Sequence, residues 1–385
     1  MRLKMIDPYG SNKLVNGFIK DNQEKIIEEL QAENTPSITC NDDIIIECNR
    51  IADGSLTPVD GFFRENDLDS LIETNKTENG YYFPIPILLQ TPKITNDAKL
   101  ETMLLKDEGG NIVGILDDIS FFKYDTKKIC DYIFGNYDQH HPGVKKILSM
   151  GNKFVGGKIQ IVPSDSPLSH YCMSPTNSRK EIIKRKWKTC VGFQTRNIPH
   201  RSHEYLQRIA LEFFDGLLIH PIIGWKKNND YRPEVVMEVY KYLVNTYYPK
   251  NRVILSGLEA QMRYAGPKEA VLHAIIRQNY GCSHFIVGRD HAGVNNYYGK
   301  YDAHLIFDSV QKYLDISILK LKGPYYCKKC KCITTENSCG HDTRYHIDVS
   351  GTKIRNFLQS SHSPPATLIR KDITNRILQF DEIFI

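Results

Sequence analysis

The chain has 385 residues, enough for two or three domains that each bury a core. Its 41% hydrophobic and 25% charged residues match ordinary globular proteins and exclude general disorder. The net charge of +5 is dispersed among both signs, which excludes the long basic blocks of an electrostatic nucleic-acid binder, and no run approaches the roughly 20 apolar residues of a membrane helix.

The N-terminal stretch MRLKMIDPYG has no apolar signal core, so a cytoplasmic location is expected. Up to about residue 165, short apolar runs alternate with turn signals: IIIEC from Ile44, YYFPIPILLQ from Tyr81, AKLETMLLKDEGGNIVGILDDI from Ala98 and FVGGKIQIV from Phe154. This pattern predicts a β-rich region with helices at 18–31 and 126–134, and the DEGGNI segment predicts a hairpin turn. GNKFVGGKI, from Gly151, has the spaced glycines of a phosphate loop, but Ile159 stands where a hydroxyl is required. Its alternation reads as a strand.

From about 187 the pattern becomes strand then helix, repeated: KTCVGF, GLLIHP, RVILS and SHFIVG are the apolar runs, with helical segments between them. This predicts a parallel sheet covered on both faces, with ligands beyond the carboxyl ends of the strands. In the first of these helices Leu206, Ile209, Ala210 and Phe213 share one predicted face.

Between the first strand and its helix stands QTRNIPHRSHE, Gln194 to Glu204. Pro199 suits a first helical turn, which would put His200 and His203 on one face beside free N–H groups and the positive end of the helix dipole. Arg196 adds a guanidinium fork suited to phosphate or sulfate. A solvated helix start and a zinc pair are the competing readings, but no HExxH pattern or nearby third ligand accompanies the pair. An anion pocket accounts for all of these charges together. Gly288-Arg289-Asp290-His291-Ala292-Gly293 follows the last strand with the same character, and Asp290 is placed to orient Arg289 or His291. A third loop, Ser350 to Arg355, combines hydroxyls, amides and cations before a helix, as an anion site or a simple helix cap.

Four of the ten cysteines lie close together. Cys327, Cys330, Cys339 and His341 form a tetrahedral donor set suited to structural zinc, with Cys332 and His346 as rival ligands. The segment after about 324 is small enough to need such a staple.

Taken together, QTRNIPHRSHE and GRDHAG (Gly288 to Gly293) resemble the ATP sulfurylase, or sulfate adenylyltransferase, family. LTPVDGFF (Leu56 to Phe63), FPIPILL (Phe83 to Leu89), HPGV (His141 to Val144), GNKFVGG and SGTKIR extend the resemblance over nearly the whole chain. Ile198 replaces the family proline after QTRN, and Pro8-Tyr9-Gly10 stands where relatives often carry histidine-glycine. The resemblance implies an α/β protein in three parts. These are a β-rich PUA-like domain over 1–165, a Rossmann-like nucleotidyltransferase domain over 166–323 and a small zinc-stapled domain over 324–385. It implies transfer of AMP from MgATP to sulfate, giving adenosine 5′-phosphosulfate and pyrophosphate, by direct in-line attack. No fused adenylylsulfate kinase is expected, because no valid phosphate loop is present. By the same resemblance Thr195, Arg196, Asn197, His200 and His203 are catalytic, and Gln194, Thr195, Arg196, Asn197, Gly288, Arg289, Asp290 and His291 bind the nucleotide. Arg196, Arg289 and the Ala292 backbone hold sulfate. A homo-oligomer is implied as well. The alternatives are an adenylyltransferase with a different acceptor, or a zinc-stapled RNA-binding module.

Overall fold

The computed structural model describes residues 5–385 except 20–22, 33–34, 93–99, 165, 225–228 and 361. The start of the run from Ala98, part of the expected helix at 18–31 and the expected division at 165 therefore lie outside the described residues.

The first sheet consists of β1 (Ser37–Thr39), β2 (Gly61–Phe62), β3 (Leu89–Gln90), β4 (Thr102–Lys106), β5 (Ile112–Lys123) and β6 (Lys153–Ile161). Its order is β1-β4-β5-β6-β2, with β3 also on β6. The DEGGNI segment turns the chain from β4 to β5: the Asp107 N–H donates to the Asn111 carbonyl at 2.9 Å, and Gly110 takes φ +86°. GNKFVGGKI supplies β6, the strand its alternation predicts. Around the sheet lie α1 (Gln23–Ala32), α2 (Asp42–Ala52), α3 (Glu65–Thr74), α4 (Thr126–Phe134) and α5 (Pro142–Ser149). The predicted helix at 126–134 is α4; of the one expected at 18–31, α1 covers the part from Gln23, while Phe18 bridges to Ile161. IIIEC is helical, within α2. The Asn41 side chain caps that helix by accepting from the Ile44 N–H at 3.1 Å, and Asp42 and Asp43 complement its positive start. These signals outweigh the strand preference of three isoleucines.

After α6 (Pro175–Lys184), the second sheet runs through β7 (Cys190–Thr195), β8 (Gly216–Pro221), β9 (Val253–Leu255), β10 (His284–Val287) and β11 (Ser317–Lys320). All neighbours are parallel in the order β11-β10-β7-β8-β9. The connecting helices are α7 (Arg201–Phe213), α8 (Pro233–Tyr247), α9 (Gly266–Asn279) and α10 (Asp302–Val310). Alternate residues face opposite layers: Val191, Phe193, Leu217, Ile219 and Ile286 pack with α7 and α8, while Cys190, Leu218, Phe285 and Val287 pack with α9 in a layer continuous with the first domain's core. The strand order reverses between β7 and β10, and their following loops diverge there into a crevice.

Along α7 the buried positions are Ser202, Glu204, Leu206, Gln207 and Ala210, whereas Phe213 is 78% exposed. Phe213 is the last residue of the helix, beyond its last buried position, so the spacing it shares with Leu206 brings it against no core neighbour. Gln207 is accommodated because its side-chain oxygen accepts the Tyr248 hydroxyl at 2.5 Å.

The last part forms a three-stranded antiparallel sheet of β12 (Tyr325–Cys327), β13 (Cys332–Thr334) and β14 (His346–Asp348), then α11 (Gly351–Gln359) and α12 (Lys371–Ile377). Ile354, Leu358, Ile373 and Ile377 join the core beneath α7 and α8, which fixes this segment against the crevice. Among the described residues, no helix is long and apolar enough to cross a membrane.

Candidate active site

At the crevice the loops after β7 and β10 and the start of α11 enclose a cleft of about 530 Å³. It is lined by Gln194, Thr195, Arg196, Asn197, His200 and His203 from the first loop and by Gly288 to Asn295 from the second. Ser350, Gly351, Thr352 and Arg355 close the third side. The three segments singled out in sequence, far apart along the chain, thus share one cavity.

Each side chain is held locally. Thr195 Oγ1 accepts from the Asn197 N–H at 3.0 Å, and the Asn197 side chain accepts from Arg355 at 3.1 Å. Gly351 lies so close to Asn197 that a β-carbon there would come within 2.8 Å of its amide. Arg196 lies over the Tyr264 ring at 5.1 Å and donates to the Gly293 carbonyl at 3.3 Å, which ties the first loop to the second. Gln194 Oε1 is buried without a protein donor among the described residues.

Pro199 lies just outside α7 rather than in its first turn, and His200 is the capping residue. The His200 Nδ1 accepts from the His203 N–H at 3.4 Å, and the two rings stack with centroids 3.6 Å apart. An imidazole that accepts at Nδ1 carries its proton on Nε2, so His200 is a neutral donor. Burial pushes its pKa down to about 3, with the nearby Asp348 opposing and Arg289 reinforcing the shift. Burial and the His200 ring hold His203 well below the usual histidine range, and its Nδ1 lies 3.1 Å from the Tyr240 hydroxyl. Positive charge in the cleft therefore comes from arginines, not histidines. Arg201 takes no part: it bonds the Ala366 carbonyl at 3.2 Å. Ile198 is fully buried among the residues under α7 and α8, so packing accounts for it.

In the second loop Arg289 pairs with Asp348 at 2.7 Å, not with Asp290. Burial acts against ionisation of Asp348, yet Arg289 and Lys353 hold its carboxyl below the usual range. Burial raises the Asp290 carboxyl, with Arg196 and Arg289 opposing. Asp290 and Ala292 both adopt positive φ, 53° and 56°, and the Gly293 N–H turns back to the Asp290 carbonyl at 3.4 Å. Alternation of this kind gathers backbone N–H groups into an anion-binding concavity. Asp348, Tyr264, Tyr240, Glu269 and His273 were not predicted from sequence. The one signal for the last two is a pair of polar residues four apart in the otherwise apolar EAVLHAII run.

The neutral histidines set a sign for acid stability. In an unfolded chain His200 would titrate near 6.5 but in the fold near 3, so below about pH 6.5 the unfolded state binds the extra proton and stability falls with pH. Lowering the pH from 7.5 to 5.0 should cost about 2 kcal/mol through this residue. His200→Asn keeps a capping oxygen and should shrink the loss by that amount in urea melts at the two pH values; an unchanged loss contradicts the buried neutral state.

Apart from the cleft, the Sγ atoms of Cys327, Cys330 and Cys339 and a ring nitrogen of His341 all lie within 4.8 Å of one another. The shorter separations are 3.2 Å for Cys330 to His341, 3.5 Å for both Cys327 and Cys339 to His341, and 3.6 Å for Cys330 to Cys339. A tetrahedron with zinc–ligand bonds of 2.0–2.3 Å has edges of about 3.5–3.8 Å, so the donors fit such an ion. Cys332 and His346 are outside the group; the His346 ring stacks on Tyr325 at 3.7 Å.

The ATP-sulfurylase family model matches residues 169–380, and that of the PUA-like domain matches 6–164. A sulfate adenylyltransferase of Staphylothermus marinus is 38% identical over 98% of this chain and 99% of its own length. One of Pyrococcus abyssi is 37% identical, with the same coverage. One of Carboxydothermus hydrogenoformans is 38% identical over 98% and 99%. Among solved structures, a hexameric APS kinase from Thiobacillus denitrificans superimposes with a TM-score of 0.74 at 18% identity, covering 97% of this chain and 68% of the other, which shows a shared fold.

Proposed function

The chain belongs to the ATP-sulfurylase family, and we propose that the cleft between β7 and β10 is where it transfers AMP from ATP to sulfate. The protein is a sulfate adenylyltransferase, a nucleotidyltransferase of sulfur metabolism with a PUA-like N-terminal domain and a parallel-sheet α/β domain. One observation carries the placement: Arg196 and Arg289, each just beyond the end of a neighbouring strand, enter one cleft beside a helix start and two neutral histidines. Sheet membership supports domain divisions at 1–165, 166–323 and 324–385, because β6 ends at Ile161 and β12 begins at Tyr325.

The chemistry joins two anions. A sulfate oxygen attacks the α-phosphorus, a new P–O bond forms opposite the bond to pyrophosphate, and pyrophosphate leaves with that electron pair. Sulfate is a weak nucleophile and needs no proton removed. Repulsion and alignment are what the protein must manage. Arg196, Arg289 and the Ala292 amide hold sulfate. Gln194, Thr195, Arg196 and Asn197 line the α-phosphate, and Gly288, Arg289, Asp290 and His291 hold the rest of the nucleotide. His200 and His203 donate to phosphate oxygens as neutral N–H groups, which stabilise negative charge without requiring a proton from solvent. Magnesium accompanies ATP, since hard cations prefer phosphate oxygens and water. Cys327, Cys330, Cys339 and His341 would hold zinc, which supplies a structural crosslink there.

Pyrophosphate release from ATP that depends on added sulfate is the test. Equal release without sulfate, or none with it, rejects the assignment. Within it, Arg289→Ala should raise the KM for sulfate about 10- to 100-fold and that for ATP by clearly less, because sulfate loses a direct charge-assisted contact whereas the nucleotide keeps its other contacts. Equal weakening of both substrates removes its sulfate role.

A further inference from the structure

Behind the cleft a chain of buried groups leads away from His291. The His291 Nε2 lies 3.1 Å from the Nδ1 of His273 on α9, and the His273 Nε2 lies 3.5 Å from Glu269 Oε1, one turn earlier. Glu269 and His273 are almost fully buried. Glu269 also accepts the Arg263 N–H at 2.9 Å and the Ala265 N–H at 3.0 Å, one on each oxygen. Burial raises its carboxyl, while these amides and the Arg263 and Arg196 guanidiniums favour the carboxylate. Glu269, His273 and Arg263 have no part in the assignments above.

The order of donors in this chain follows from its end. A carboxylate only accepts, and at 3.5 Å from Glu269 Oε1 a bare His273 Nε2 would set lone pair against lone pair, so the charge of Glu269 favours the His273 tautomer with its hydrogen on Nε2. A neutral His273 then has a bare Nδ1, which can only accept from His291 Nε2–H. Burial holds both rings below the usual histidine range, His291 at about 3, so neither is doubly protonated near neutrality. The His291 Nδ1 is left as a lone pair, and no protein partner for it is recorded among the described residues. A lone pair repels phosphate oxygens. It matches a hydrogen-bond donor instead, and a nucleotide offers these only on its nucleoside part, as ribose hydroxyls or the exocyclic amine.

We propose that Glu269 and His273 are positioning residues that fix the tautomer of His291, so that its Nδ1 accepts a hydrogen bond from the nucleoside part of the nucleotide. The proposal rests on the adenylyltransferase reading for the identity of the ligand but not for the tautomer. It also separates the two kinds of histidine in the cleft: His200 is a donor to phosphate and His291 an acceptor from the nucleoside.

Two substitutions distinguish positioning from packing. His273→Asn retains an oxygen where Nδ1 stood and should keep the KM for ATP within about threefold. His273→Leu fills the space but offers no acceptor, and it should raise the KM for ATP about tenfold with the KM for sulfate unchanged, the effect of one lost hydrogen bond. In parallel, 15N spectra of histidine-labelled enzyme read the tautomer without any turnover. Wild type and His273→Asn should show His291 protonated at Nε2 and bare at Nδ1, and His273→Leu a mixture. Comparison of 2′-deoxy-ATP, 3′-deoxy-ATP and purine riboside triphosphate then identifies the donor, because the tenfold difference between His273→Asn and His273→Leu vanishes with the analogue that lacks it. A His291 protonated at Nδ1 in the wild type overturns the proposal. So does equal impairment of the two variants, or a difference that persists with all three analogues. If the enzyme released no sulfate-dependent pyrophosphate at all, the functional reading would fail while the spectra still decided the tautomer.

Discussion

Arg196→Ala should lower sulfate-dependent pyrophosphate release by on the order of a thousandfold and leave thermal unfolding nearly unchanged. Removal of one preorganised donor aimed at developing charge typically costs 10²–10³ in rate, and Arg196 is proposed to serve sulfate and the α-phosphate together, which puts it at the upper end. Its attachments are few: a stack on Tyr264 and one bond to the Gly293 carbonyl. Loss of these should cost little stability, because the Tyr264 ring is buried by other neighbours. Arg196→Lys should recover less than a tenth of the activity. An ammonium keeps the charge but neither the planar fork nor the stacking surface. Activity within tenfold of the wild type for the alanine variant would remove Arg196 from the reacting centre. A melting temperature lowered by more than about 8 °C would mean that its contact with the second loop is structural.

Much of this cleft could be read from sequence because its parts are local. Gln194 to His203 and Gly288 to Gly293 are short, uninterrupted segments at strand ends, and alternation alone locates those ends. What escaped was tertiary. Asp348 is the partner of Arg289 across 59 positions, while the adjacent Asp290 is turned by its positive φ into a loop where its N–H meets the Lys300 carbonyl. His200 reads as a charged residue in a first turn, yet capping by its own ring and burial make it neutral. Phe213 obeys the helical spacing and is exposed, because spacing defines a stripe but not how far along the helix the core extends. Glu269 and His273 give a weak signal: a polar pair in an apolar helix is as compatible with a satisfied core as with a site, and only the 3.1 Å approach to His291 separates the two.

Cys330→Ser should abolish metal binding and weaken sulfate binding together. Cys327 is both a candidate ligand and the last residue of β12, where it pairs with His346 of β14. β14 in turn ends at Asp348, the partner of Arg289. A crosslink among Cys327, Cys330, Cys339 and His341 thus holds one end of the small sheet whose other function is to place a carboxylate beside the cleft. This segment has only three short strands and few buried apolar residues, too few to stay ordered without a staple. The wild type should carry one zinc per chain and the variant none. Limited proteolysis should then cut the variant within 325–348, while α11 stays in place because Ile354 and Leu358 are anchored in the core under α7. Arg355 should accordingly continue to hold Asn197, and the KM for ATP should change less than that for sulfate. Arg289, released from Asp348, loses its orientation, so the KM for sulfate should rise about tenfold or more, in proportion to one charge-assisted contact. Cys332→Ser is the control, because its thiol lies outside the donor group and zinc should be retained. Full zinc content in Cys330→Ser, or its loss in Cys332→Ser, would refute this ligand set. Zinc loss with an unchanged KM for sulfate would refute the route from the staple through β12 and β14 to Asp348 and Arg289.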